Sequence, residues 1–122
     1  MRAFKTRVFD RWVGKVGITD TVLLKAVVDI ERGLINADLG GHLFKQRVAL
    51  PGRGKSGSTR TLLATRFAGT LFFLFGFEKN DRENITQREL GIYQSLAGHL
   101  VALDKTQIET ALKAKELIEV KT

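Results

Sequence analysis

Residues 70–77, Thr-Leu-Phe-Phe-Leu-Phe-Gly-Phe, are apolar almost throughout, and therefore apolar on both faces of any strand they form. Such a strand belongs in the middle of a sheet that is covered from both sides. The remaining sequence has to supply the neighbouring strands and both covering layers. The chain has 122 residues, which suits one domain with a real core and is too short for two ordinary ones.

Helical patterns flank this strand on either side. Val8, Phe9, Trp12, Val13 and Val16 recur at steps of three and four and stop at Gly17. Thr19 suits the N-cap of a second helix, DTVLLKAVVDIER, and Gly33 suits its C-terminal cap. Downstream, Thr86 and Glu89 fit a capping box, leading into a helix with Leu90, Tyr93, Leu96, Ala97 and Leu100 on its buried side. Asp104 and Gln107 open a further helix that runs through IETALKAKELI. Residues 2–5 read as a short edge strand. Residues 43–50 alternate, with Phe44, Val48 and Leu50 on one side and Lys45 and Arg47 on the other. Residues 59–67 are rich in β-formers and place Arg60 and Arg66 on a common face, and Ala68-Gly69 is a hairpin turn. NADLGG and residues 51–58 read as loops. The expected order is strand, helix, helix, three-stranded meander, helix, helix. That is an α+β fold rather than the alternation of a parallel sheet.

Net charge is +7, and it is unevenly spread. Residues 45–82 carry 8 basic and 2 acidic groups, a net +6, whereas residues 1–44 carry +2 and residues 83–122 carry −1. A basic patch confined to the middle third fits a polyanionic partner, nucleic acid first. There is no cysteine, so disulfides and thiolate zinc sites are ruled out. Neither histidine, His42 or His99, has metal-ligand spacing, and no metal is expected. The N-terminus lacks the apolar core of a signal peptide, and the longest apolar run, 71–77, is far too short to span a membrane. A soluble, cytoplasmic protein is expected.

Within the basic third, LPGRGKSGSTR contains Gly54-Lys55-Ser56, the end of a nucleotide-binding P-loop. The rest of that motif is missing. Its first glycine would fall at Ala49, Pro51 removes one of the N–H donors the loop supplies, and a strand pattern follows where a helix is required. No nucleotide cofactor is expected. Arg53, Lys55 and Arg60, close to Lys45 and Arg47, suit a partner that brings its own phosphates. A second polar cluster, GFEKNDREN, follows the central strand and offers Lys79, Asn80 and Arg82. In a meander both clusters can approach one rim of the sheet.

Two motifs in this order, P-G-x-G-K-S-G-x-x-R-T at 51–61 and G-F-x-K-N-x-R-x-N-I at 76–85, resemble the RelE-like toxins of bacterial type II toxin–antitoxin systems. The HigB-like branch is the most similar. The resemblance spans roughly residues 2–102, a toxin domain of 1–102 with 103–122 as an appended C-terminal helix. It implies two N-terminal helices packed on a small antiparallel sheet, followed by C-terminal helices. It further implies a ribosome-dependent, metal-independent mRNA endoribonuclease neutralised by a helix-turn-helix antitoxin. A ParE-like toxin that binds gyrase without enzymatic activity, or an inactive nucleic-acid-binding relative, is the alternative.

Carried onto this chain, the resemblance makes Lys55, Arg60, Lys79 and Arg82 the catalytic candidates and Lys45, Arg47, Arg53 and Asn80 the RNA-binding ones. Metal-free RNA cleavage needs a proton taken from the ribose 2′-OH, in-line attack on phosphorus and a proton for the 5′-oxygen. Lysine serves as a base only where neighbouring cations lower its pKa, and arginine can hold phosphorane charge through paired N–H donors. The aromatic residue that RelE-type cleavage places near the C-terminus has no counterpart, since Tyr93, the only tyrosine, falls on the buried side of a helix.

Overall fold

The computed structural model describes residues 1–50, 54–79, 82 and 84–121, with residues 54–58 by backbone alone. The chain runs β1 (Arg2–Thr6), α1 (Arg7–Val16), α2 (Asp20–Glu31), β2 (Ala37–Gly40), β3 (Leu43–Leu50), β4 (Gly54–Thr65), β5 (Thr70–Glu78), α3 (Gln87–Val101), α4 (Lys105–Lys113) and β6 (Leu117–Glu119). The strands form one sheet in the order β2-β3-β4-β5-β1-β6. All pairings are antiparallel except β1 with β5.

The two-faced apolar strand sits inside the sheet, as its composition requires. Leu71 and Phe73 of β5 belong to a core with Phe9 and Val13 of α1 and Leu23, Val27 and Ile30 of α2. Phe72 and Leu74 face the other way, into a core with Ala97, Leu100 and Val101 of α3, Ile108 of α4 and Leu117 of β6. Stacked rings fix both layers: Phe9 on Phe73 at 5.1 Å and Phe4 on Phe72 at 5.4 Å. The helix starts follow their caps. Thr6, Thr19, Thr86 and Asp104 each accept an N–H from the first turn, and Thr86–Glu89 and Asp104–Gln107 both close as capping boxes.

Several expected elements differ. Residues 2–5 are not an edge strand: β1 lies between β5 and β6, with Ala3, Phe4 and Lys5 all buried. NADLGG is not all loop, because Ala37–Gly40 forms β2 on the outer edge of β3. The expected 51–58 loop is shorter, since β4 already begins at Gly54, which pairs with Leu50. The last helix stops at Lys113. Lys115 takes a left-handed φ of 57°, and the Lys115 and Glu116 N–H groups bond back to the Leu112 and Ala111 carbonyls, a Schellman closure. A lysine in the place usually held by glycine hides that stop from a sequence pattern. The segment after it then pairs with β1, so residues 103–122 contribute both α4 and the sixth strand.

Burial of Lys5 has a specific cause. Its ammonium lies 2.9 Å from Asp10 and 3.0 Å from Asp20, and the second Asp20 oxygen accepts the Lys121 N–H at 2.9 Å. Burial works to lower the Lys5 pKa, but the hydrogen bonds its ammonium donates to Asp10 and Asp20 outweigh burial and the pKa is raised. A raised folded-state pKa contributes stability that is fully present below the unfolded value of about 10.4 and is lost as pH climbs through the folded one. Lys5→Met is therefore expected to melt below the wild type at pH 7, with the gap narrowing in melts recorded near pH 11. An equal gap at both pH values would show that the ion network contributes nothing.

Candidate nucleic-acid interface

Register places the basic residues of β3 and β4 together. Arg47 lies directly opposite Arg60, and Arg60 directly opposite Phe77 of β5, so the three form one row across the sheet. The adjacent row is Lys45, Leu62 and Phe75. Strand alternation puts both rows on the face that carries α3 and α4, because Leu62 and Phe75 pack into that core. The helices cover only part of it. Arg47 is exposed, and Lys45 and Arg60 are half-buried. Like charges directly opposite each other disfavour strand pairing on their own. A fold that keeps Arg47 against Arg60, one row from Lys45, offers a cationic surface to an anion.

The strands under this row are held firmly. The Gln46 amide donates to Leu34 O at 2.8 Å and its carbonyl oxygen accepts from Asn36 N–H at 3.0 Å, while Asn36 Oδ1 accepts the Arg47 N–H at 2.6 Å. That side chain extends the hydrogen bonding beyond the end of β2. On the other side of β3, the Thr59 and Thr61 hydroxyls donate to Val48 O and Gln46 O, each at 2.9 Å. The backbone that presents Arg47 and Arg60 is thus fixed by side-chain hydrogen bonds as well as by the ladder.

β5 ends at Glu78, and exposed Lys79 follows at the same rim. Arg82 comes next, with its guanidinium over the Phe77 ring at 5.5 Å and its N–H on Glu78 O at 3.3 Å. Its fork is engaged within the chain. Both terminal nitrogens donate to the Glu89 carboxylate, and Nε donates to Asn84 O at 3.1 Å. The hydrogen bonds from Arg82 above all, then those from Thr86, hold the Glu89 carboxyl down at about 2. Tyr93, one helical turn beyond Glu89, stacks on Phe75 at 5.2 Å, and burial first, then Glu89, push its hydroxyl pKa up.

Of the candidates named from the sequence, Lys45, Arg47 and Arg60 share one face, and Lys79 and Arg82 adjoin it along β5. Lys55 lies in the β4 backbone, with its side chain outside the described residues. Arg53 and Asn80 fall outside them altogether. Sequence reasoning missed Glu89 as a partner of Arg82. Its role in the capping box was legible, but a pairing across seven residues and a turn is not a periodic signal. It also missed Tyr93 as a neighbour of this rim. An open groove of about 490 Å³ elsewhere, between α3, α4 and β6, is lined by Leu96, Leu100, Leu103, Ala111 and Leu117 with threonines, and by no basic side chain.

Among the described residues, no cluster of three or more His, Asp or Glu is placed to hold a metal, and no helix is long and apolar enough to cross a membrane. A search of curated proteins finds no match to the chain. A family model does match, the RelE toxin of the RelE/RelB toxin–antitoxin system, over residues 1–120. That span takes in every strand and helix from β1 to β6, including the cationic row and the tail, and the chain belongs to the RelE toxin family.

Proposed function

We propose that this toxin is a metal-independent endoribonuclease that cuts mRNA on the ribosome and so stops translation. One observation carries the assignment: the Arg47–Arg60 row, with Lys45 beside it and Lys79 at the rim, on a partly uncovered sheet face of a RelE-family chain. Lys55 or Lys79 takes the proton from the ribose 2′-OH. The 2′-oxygen bonds to phosphorus, the bond to the 5′-oxygen breaks, and that oxygen is protonated as it leaves. Arg60 holds the charge that builds on the phosphoryl oxygens, as oxyanion donors do. Lys45, Arg47, Arg53 and Asn80 bind the RNA backbone. Ribosomal positioning of the mRNA supplies the orientation that a shallow cationic face cannot supply alone. A toxin of this family implies an antitoxin partner. A helix-turn-helix protein of the HigB-like kind fits that place, and the cytoplasm, where translation occurs, is the site of action.

Brief expression without the antitoxin is expected to arrest growth, with mRNA breaks mapping inside translated regions. Binding of the purified protein to ribosomes should weaken with salt at a log–log slope near −3, since four or five contacts each contribute roughly −0.7 on single strands. Normal protein synthesis in pulse-labelled cells, or DNA breaks without mRNA breaks, would overturn the nuclease assignment.

A further inference from the structure

Arg82 adjoins the candidate site, and three of its guanidinium N–H groups are bonded within the chain. Two nitrogens are taken by the Glu89 carboxylate and the third by Asn84 O. Glu89 in turn also accepts the Thr86 N–H at 2.8 Å, so one carboxylate ties Arg82 to the first turn of α3. From Arg82 the contacts run into the site along two short routes. Its guanidinium lies over Phe77, which is in register with Arg60. Its N–H bonds to Glu78 O, one residue before Lys79. Four residues along α3, Tyr93 stacks on Phe75, which touches Phe77 at 6.1 Å. Glu89, Arg82, Phe77, Phe75 and Tyr93 therefore close a ring of contacts between the end of β5 and the start of α3.

We propose that Glu89 is a positioning residue of the candidate site. By gripping Arg82 across Phe77, it sets where the end of β5 presents Lys79 and how firmly the Arg60 row is backed, and Arg82 acts through this pair rather than as a phosphate ligand. The proposal rests on the nuclease reading. It distributes the work differently from a site in which every arginine meets the substrate: Arg60 touches RNA, and Arg82 and Glu89 hold the frame.

Glu89→Gln separates this role from simple helix stability. Glutamine at this position still completes the capping box with Thr86 while giving up the charge that grips Arg82. Ribosomes programmed with a defined mRNA, the purified full-length toxin and Glu89→Gln, Arg82→Gln and the double variant make the test, with Tm measured for each. Glu89→Gln is expected to lower kcat on the order of 10- to 100-fold, as small misplacements of reacting groups do, with KM changed less than about twofold. Arg82→Gln should do the same, and the double variant should be no worse than either single one, because both remove one interaction. Full activity in Glu89→Gln beside a dead Arg82→Gln would make Arg82 a direct ligand and overturn the proposal. So would losses that multiply in the double variant, or that track Tm and vanish well below the melting range. A wild-type protein that cuts no mRNA overturns the nuclease reading itself and this role with it, and that outcome is distinct from an active wild type with an indifferent Glu89.

Discussion

Arg60→Ala is expected to lower mRNA cleavage on the order of a hundredfold, the usual loss when a donor to a developing oxyanion is removed. Arg60 stands mid-row, between Arg47 on β3 and Phe77 on β5, and in the proposed site it is the arginine that meets the RNA phosphate. Arg60→Lys should also be impaired, because an ammonium is a point charge and cannot replace the two parallel donors of a guanidinium. Lys79→Ala should lose activity as well, while keeping its fold, since Lys79 is exposed at the strand end. Surface truncations of this kind usually change stability by no more than about 0.5 kcal/mol. Lys105→Ala and Lys113→Ala, at the two ends of α4, are the controls and should remain toxic. Growth arrest at matched expression, backed by cleavage with programmed ribosomes, makes the comparison. Toxic Arg60 and Lys79 variants beside harmless α4 variants would move the site elsewhere on the molecule.

Those residues could be chosen from the sequence because charge and strand alternation are local properties. Lys45 and Arg47 on one side of an alternating strand already specify a basic face, and a basic residue early in the next strand completes it. The register that sets Arg47 against Arg60 was not legible, because it depends on β4 beginning at Gly54, inside the expected loop, and on an irregularity between Val48 and Leu50. What could not be read locally was long-range. β1 is a five-residue segment containing a lysine, which Asp10 and Asp20 allow to be buried, and pairing with both β5 and β6 makes it an interior strand. β6 is three residues long and is defined by pairing with β1, at the opposite end of the chain. The helix before it stops at a lysine in a left-handed conformation that the sequence gives no reason to expect.

The same distinction runs through the site. Arg82 looks like one more cation in a basic cluster when its neighbours in sequence are counted. Its fork is nevertheless turned onto Glu89, in a helix whose own signal, Thr86 to Glu89, concerns only its start. Net charge of a segment therefore overstates the cations free to meet a ligand, and the excess at 45–82 has to be discounted by the pair that Arg82 makes. On or beside the row, Lys45 and Arg60 are half-buried and Arg47 and Lys79 are exposed.

Gly76→Ala is expected to unsettle both the fold and the site, although it adds one methyl group. Gly76 has an ordinary strand conformation, so the requirement is one of space. A Cβ built there would lie 2.2 Å from Trp12 Cζ3 and 2.5 Å from Cε3, distances no real pair of carbons tolerates. The indole cannot simply swing aside, because it leans on Phe9 at 5.6 Å, and Phe9 is stacked on Phe73. Either α1 lifts from the sheet or the end of β5 shifts. Overpacking of this kind costs about 1–3 kcal/mol, which for a domain this size lowers Tm by roughly 5–15 °C. The consequence for function follows from position, since the next residues are Phe77, Glu78 and Lys79. The variant should lose cleavage even at temperatures where it is still folded. Trp12→Leu opens the contested space, so Gly76→Ala should cost much less in that background than in the wild type, a difference read directly from thermal melts of the four proteins. If Gly76→Ala melts with the wild type, or costs the same with and without Trp12, the indole is not what requires glycine at this point of the strand.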